Sequence, residues 1–151
     1  MAFSRILVPV GGIPADEQAI RLACQVARQD KAKITAIHVI EVQRNLPLNA
    51  EDAAQMERGE SVLARAEQIA KAARGSLETE LLQARVAGSA LVDEAGERGI
   101  DLIIMGIPDR KPLGDFYLGA TTLYVLKNAA CRVWLCREGR REDQPAARKE
   151  K

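Results

Sequence analysis

The segment Asp101–Arg137, DLIIMGIPDRKPLGDFYLGATTLYVLKNAACRVWLCR, decides the fold. Asp101–Ile107 is a short, continuous apolar run, the pattern of a strand covered on both faces. A loop rich in proline, glycine and charge follows. Gly119–Ala129 then has helical spacing, and the expected buried face carries Leu123, Leu126 and Ala129. Cys131–Arg137 is a second apolar strand. A strand, a helix and a strand in this order form a crossover unit, which pairs its strands in parallel.

The same alternation runs back to the N-terminus. RILVPV (Arg5–Val10) is a β-branched strand ended by Gly11 and Gly12. From Pro14, the residues Ala19, Ile20, Ala23, Cys24 and Ala27 recur at helical spacing, and Asp16 and Glu17 suit the positive end of that helix. KITAIHVIE (Lys33–Glu41) is the second strand. Ala50 to Arg74 is a long helix with Met56, Leu63, Ala66, Ala70 and Ala73 on one face and Gly75 as its expected cap. Leu77–Arg85 is a more polar strand, suited to a sheet edge. Gly88–Gly99 is a short helix burying Leu91, Val92 and Ala95. Five strands alternating with four helices make an α/β domain with a parallel sheet, expected over residues 1–137. The tail from Glu138 to 151 mixes charge and proline without an apolar face, and disorder is expected.

The chain of 151 residues is long enough for one domain with a sizeable core. With 47% hydrophobic residues, 28% charged residues and a net charge of +1, it reads as globular, without a general pull toward nucleic acid or an anionic membrane. Aromatic residues are only 3%, too few for base-stacking surfaces. No apolar stretch reaches the roughly 20 residues of a membrane span, and the start is too short for a signal peptide. A cytoplasmic protein is expected. The cysteines Cys24, Cys131 and Cys136 make neither a disulfide framework nor a metal set.

Several chemistries are poorly served. There is no Gly-x-Ser-x-Gly elbow. His38 is the single histidine, mid-strand, and reads as a packed, hydrogen-bonded residue rather than a general base. VPVGGIPA lacks the third glycine of a dinucleotide fingerprint, and no Walker A loop is present. In a parallel sheet, ligands bind at the carboxyl ends of the strands near the switch in strand order. The loops that matter then start at Gly11, Val42, Val86 and Gly106. The last is the richest. Gly106 would let a ligand approach the backbone, and the helix starting near Gly119 would favour an anion. Thr121 and Thr122 add hydroxyls, and Arg110 and Lys111 add positive charge. Asp109 and Asp115 could hold a hard cation only with oxygen partners that the sequence does not display.

Taken in order, RILVPV, AIHVIE, VAGSALVDEAGERGIDLIIMG and LGATTLYVLKNAACRVWLCR resemble the universal stress protein family over about Arg5 to Arg137. The resemblance implies a doubly wound sheet of strand order 3-2-1-4-5 with helices on both faces. It also implies homodimers through the last strand, Cys131–Arg137. Nucleotide-binding members carry Gly-x-x-Gly, then nine residues, then Gly-Ser or Gly-Thr. Gly106 matches the first glycine, Asp109 replaces the second, Arg110 to Leu118 supply the nine, and Gly119 matches the third. Ala120 replaces the hydroxyl residue, and Thr122 aligns with a position that is often Ser or Thr. Pro9, Val39 and Met105 match positions around the adenine and ribose. Gly11 stands where an aspartate commonly contacts the ribose, and Pro108 where a basic residue is common.

These departures leave two functional readings side by side. One is a regulatory module that binds ATP, with Mg²⁺, or another adenine nucleotide such as AMP. The other is a dimeric module that binds no ATP and works through protein–protein contacts. Asp109 separates them: a like charge at about 4 Å, at an effective dielectric near 20, repels by about 4 kcal/mol. A nucleotide hydrolase is a third reading, for which no nucleophile, base or metal cluster is evident.

Overall fold

The computed structural model describes residues 2–108 and 118–137. Asp109, Arg110, Lys111 and Asp115, and the tail from 138 onward, lie outside them. The element order is β1 (Arg5–Pro9), α1 (Ala15–Asp30), β2 (Lys33–Glu41), α2 (Ala53–Ala72), β3 (Glu78–Ala84), α3 (Ala87–Glu97), β4 (Leu102–Ile107), α4 (Ala120–Asn128) and β5 (Arg132–Arg137). All strand pairs are parallel, in the order β3-β2-β1-β4-β5. Both the class and the strand order are those expected.

Strand alternation sorts the core into two layers. Ile6 and Val8 of β1, Val10 just beyond it, and Leu102 and Ile104 of β4 face α1 and α2, against Ile20, Cys24, Leu63 and Ile69. Leu7, Ile37, Ile103 and Met105 face the other way, against Leu91 and Ala95 of α3 and Val125 of α4. Each fully buried aliphatic side chain contributes about 1.5–3 kcal/mol. β1 and β4 are buried on both sides, which is why they read as unbroken apolar runs. β3 and β5 are edges, and their residues are half-buried or exposed.

Two local expectations are refined. The left-handed residue at the end of α2 is Arg74 (φ 61°) rather than Gly75, whose amide closes the helix by donating to the Ala70 carbonyl at 2.7 Å; Gly75 is small because an added Cβ would lie 2.6 Å from Cys24 Sγ. α1 ends in the same way on a non-glycine residue, Lys31, at φ 59°. In α4, Val125 is buried while Leu123 is 46% and Leu126 40% exposed, so the helix is turned from the expected face. Its inward stripe is Thr121, Val125 and Ala129, at i, i+4 and i+8. These smaller residues suit close packing on α3, where a Cβ on Gly88 would lie 2.8 Å from Cβ of Tyr124.

Candidate functional site

β1 and β4 are neighbours, and α1, which follows β1, packs on one face of the sheet while α4 packs on the other. A cleft lies at the ends of β1, β2 and β4 beside the starts of α1, α3 and α4, at the carboxyl edge where such sheets bind ligands. Its volume is ≈ 250 Å³, near the lower end of the range of about 300–1,000 Å³ usual for small-molecule sites. Pro9, Gly11, Val39, Met105, Gly106 and Thr121 all line it. These six of the sequence-derived site residues come together from β1, β2, β4 and α4.

At the β1–α1 corner sits Asp16, 8% exposed. Its Oδ2 accepts the Gly12 amide at 2.7 Å and those of Gly11 and Ile13 at 3.2 Å each. This carboxylate holds the loop in shape, and Gly12 takes φ 82° within it. Burial pushes the Asp16 carboxyl above its usual 3.8, against the downward pull of the three loop amides and His38. His38 is also buried, and its Nδ1 lies 2.8 Å from the Val10 carbonyl oxygen, which accounts for it as a packed strand histidine. From α2, Arg58 Nη2 donates to the Gly11 carbonyl at 3.1 Å.

Gly106 lines the cleft, but its missing side chain serves another purpose than the one expected. A Cβ there would strike the backbone of Ala15, 2.7 Å from its carbonyl carbon. The glycine makes room for the first turn of α1 against β4. Gly11 is the opposite case, with open space where a Cβ would be.

α4 begins at Gly119, its N-cap in extended conformation, with no side chain capping it. Thr121 turns into the cleft wall, whereas Ala120 is exposed and neither Gly119, Ala120 nor Thr122 lines the cavity. Two of the other helices meet a carboxylate at their first turn: Asp52 Oδ1 accepts from Ala54 N and Gln55 N in α2, and Glu41 Oε2 accepts from Ala87 N in α3. α1 starts, like α4, without a side-chain cap, and Asp16 engages the loop amides ahead of it instead.

The cleft has an apolar floor of Pro9, Ile37, Val39, Leu91 and Met105, with Asp16, His38 and Thr121 as polar groups. An aromatic heterocycle fits the floor, and hydroxyl-bearing groups fit the rim. Sequence reasoning placed Asp16 only as a dipole residue. The signal it offered was a carboxylate four residues beyond the Gly-Gly pair, within reach of the loop amides. Among the described residues, no cluster of three or more His, Cys, Asp or Glu is placed to hold a metal, and no helix is long and apolar enough to cross a membrane.

The chain is similar to known proteins over most of its length. A universal stress protein of Methanocaldococcus jannaschii is 27% identical over 146 residues, covering 93% of this chain and 85% of the relative. A universal stress protein from Archaeoglobus fulgidus, solved in complex with dAMP, superposes with a TM-score of 0.70 at 21% identity, over 89% of this chain and 98% of that one. Another, solved in complex with cAMP, gives 0.68 at 21% identity, over 91% and 98%. The model of the universal stress protein family matches residues 2–137. With its strand order and cleft, the chain belongs to the universal stress protein family.

Proposed function

We propose that this chain is a cytoplasmic, dimeric regulatory module that binds an adenine nucleotide, AMP or ATP, in the cleft between β1 and β4. The observation that carries the proposal is the convergence of Pro9, Val39, Met105 and Thr121 on one cavity beside the uncapped start of α4. The apolar floor takes the base. The first-turn amides of α4, which carries no side-chain cap among the described residues, and Thr121 take phosphate. The relatives solved with cAMP and dAMP support the ligand class. Asp109, Arg110, Gly119, Ala120 and Thr122 belong to the phosphate side of this proposal, with Mg²⁺ offsetting the Asp109 charge when ATP is bound.

The dimer is proposed through β5, an edge strand that leaves backbone groups to pair. Val125 of α4 packs in one cluster with Val133 and Leu135 of β5, and Leu123 and Leu126 of the same helix are exposed apolar residues. This apolar flank also favours the second reading, a family member acting through protein contacts without ATP. Acid release of nucleotide from the purified protein, followed by chromatography and by calorimetry with AMP and with ATP plus Mg²⁺, separates the two. The proposal expects adenine nucleotide in the extract or a saturable heat. An empty extract with no heat from either ligand contradicts it.

A further inference from the structure

Resting on the nucleotide reading above, we infer that Arg58 is a positioning residue for the cleft: from α2, without lining the cavity, it fixes the β1–α1 loop and so the affinity for the nucleotide. The loop is loose by composition. Gly11 has open space where a Cβ would be, and Gly12 takes φ 82°, so both reach conformations closed to other residues. Packing does not fix it either. The loop borders the cleft through Gly11 and Ile13, and it borders a second cavity of ≈ 280 Å³ through Gly12, Ile13 and Pro14, which α2 lines with Val62, Arg65 and Ala66. Asp16 binds the loop amides, but it belongs to the first turn of α1 and travels with the loop.

The ties to the rest of the fold come from side chains remote in sequence. His38 of β2 holds the residue before the loop, its Nδ1 2.8 Å from the Val10 carbonyl oxygen. Beyond Val10, Arg58 Nη2 donates to the Gly11 carbonyl at 3.1 Å, and a Cβ on Gly12 would lie 3.4 Å from the same nitrogen. Among the described residues, no other hydrogen bond joins Gly11, Gly12, Ile13 or Pro14 to an element other than α1. The next residue of α2 seats the helix on the sheet: a Cβ on Gly59 would lie 2.8 Å from Leu81 Cδ1 and 3.0 Å from His38 Cδ2. Arg58 therefore reaches the loop from a fixed base. Without its bond, Gly11 and Ile13 spend less time in the arrangement that forms the cleft wall, and the apparent affinity falls with that fraction.

The test compares the full-length wild type with Arg58→Met, which keeps an unbranched side chain without a donor, and with Arg58→Lys, which keeps a donor. Amide hydrogen exchange is read on the free proteins, and AMP binding by calorimetry. The Gly11, Gly12 and Ile13 amides are bonded to Asp16 and not to Arg58, so their exchange reports movement of the loop rather than loss of their own bond. In Arg58→Met it should rise at least about fivefold with β4 unchanged, and AMP should bind about three- to tenfold more weakly. Arg58→Lys should recover most of both. Loop exchange that stays at the wild-type rate in Arg58→Met, or rises equally in β4, overturns the inference while the nucleotide reading stands. So does faster loop exchange with unchanged AMP affinity, or an Arg58→Lys protein that behaves like Arg58→Met. No binding of AMP by the wild type overturns both.

Discussion

Gly106 of β4 lies directly beneath the carbonyl of Ala15, the first residue of α1, with no room for a Cβ between them. That approach brings the β1–α1 loop over the end of β4 and sets the width of the cleft. Gly106→Ala must push the helix off the strand or distort it, and overpacking of this kind costs about 1–3 kcal/mol. Urea unfolding should show that loss, together with weaker nucleotide binding. Unchanged stability would mean that α1 yields freely at this point.

Lys31 offers the reverse test. It holds φ 59° at the end of α1, where an L side chain is strained and glycine is not. Lys31→Gly should stabilise the protein by about 0.5–1 kcal/mol, the strain relieved exceeding the entropy glycine adds to the unfolded chain. A drop in the urea midpoint would contradict this.

The strands were legible because burial on two faces leaves an unbroken apolar run, as in Asp101–Ile107. Helix orientation was less so. α4 carries two apolar stripes, Leu123 with Leu126 and Val125 with Ala129, and only its packing on α3 selects the second. Gly75 and Gly106 were both recognised as special, yet their reasons are the Cys24 thiol and the Ala15 carbonyl, each remote in sequence. The cleft residues Pro9, Val39 and Met105 were found through the family pattern, and Thr121 as a hydroxyl at the helix start. Asp16 suits the helix start as well as any acidic residue, so its backward hydrogen bonds were signalled only by its place four residues beyond the Gly-Gly pair.

Asp16 also makes a signed pH prediction. Its folded pKa lies above 3.8, so between that value and the raised one the native state holds more protons than the unfolded chain. Its contribution to stability therefore falls as pH rises through that window. The charged or titratable groups around it are His38 on β2, Glu17 on its own helix, and Arg65 and Arg58 on α2, the latter at the Gly11 carbonyl. Relative to wild type, Asp16→Asn should gain stability as pH is raised from about 3.8 toward neutrality. Urea unfolding of both proteins along that range checks it. A relative gain by the wild type would mean that the loop amides outweigh burial.

The proposed dimer makes exposed leucines consequential. Leu123→Glu with Leu126→Glu should leave the fold intact, since both side chains are outside the core. It should weaken dimerisation by more than tenfold in sedimentation equilibrium, as expected for charge placed in an apolar contact. An unchanged dimer constant would move the interface off this flank, and a monomeric wild type would remove it.

The most direct test of the central claim is a titration of AMP into the isotopically labelled protein, followed through backbone amide resonances. The account predicts saturable shifts centred on Gly11, Val39, Met105, Gly106, Gly119 and Thr121, with the β3 edge and the far ends of the strands unmoved. Absence of shifts at millimolar AMP, or shifts centred away from the β1–β4 cleft, would contradict it.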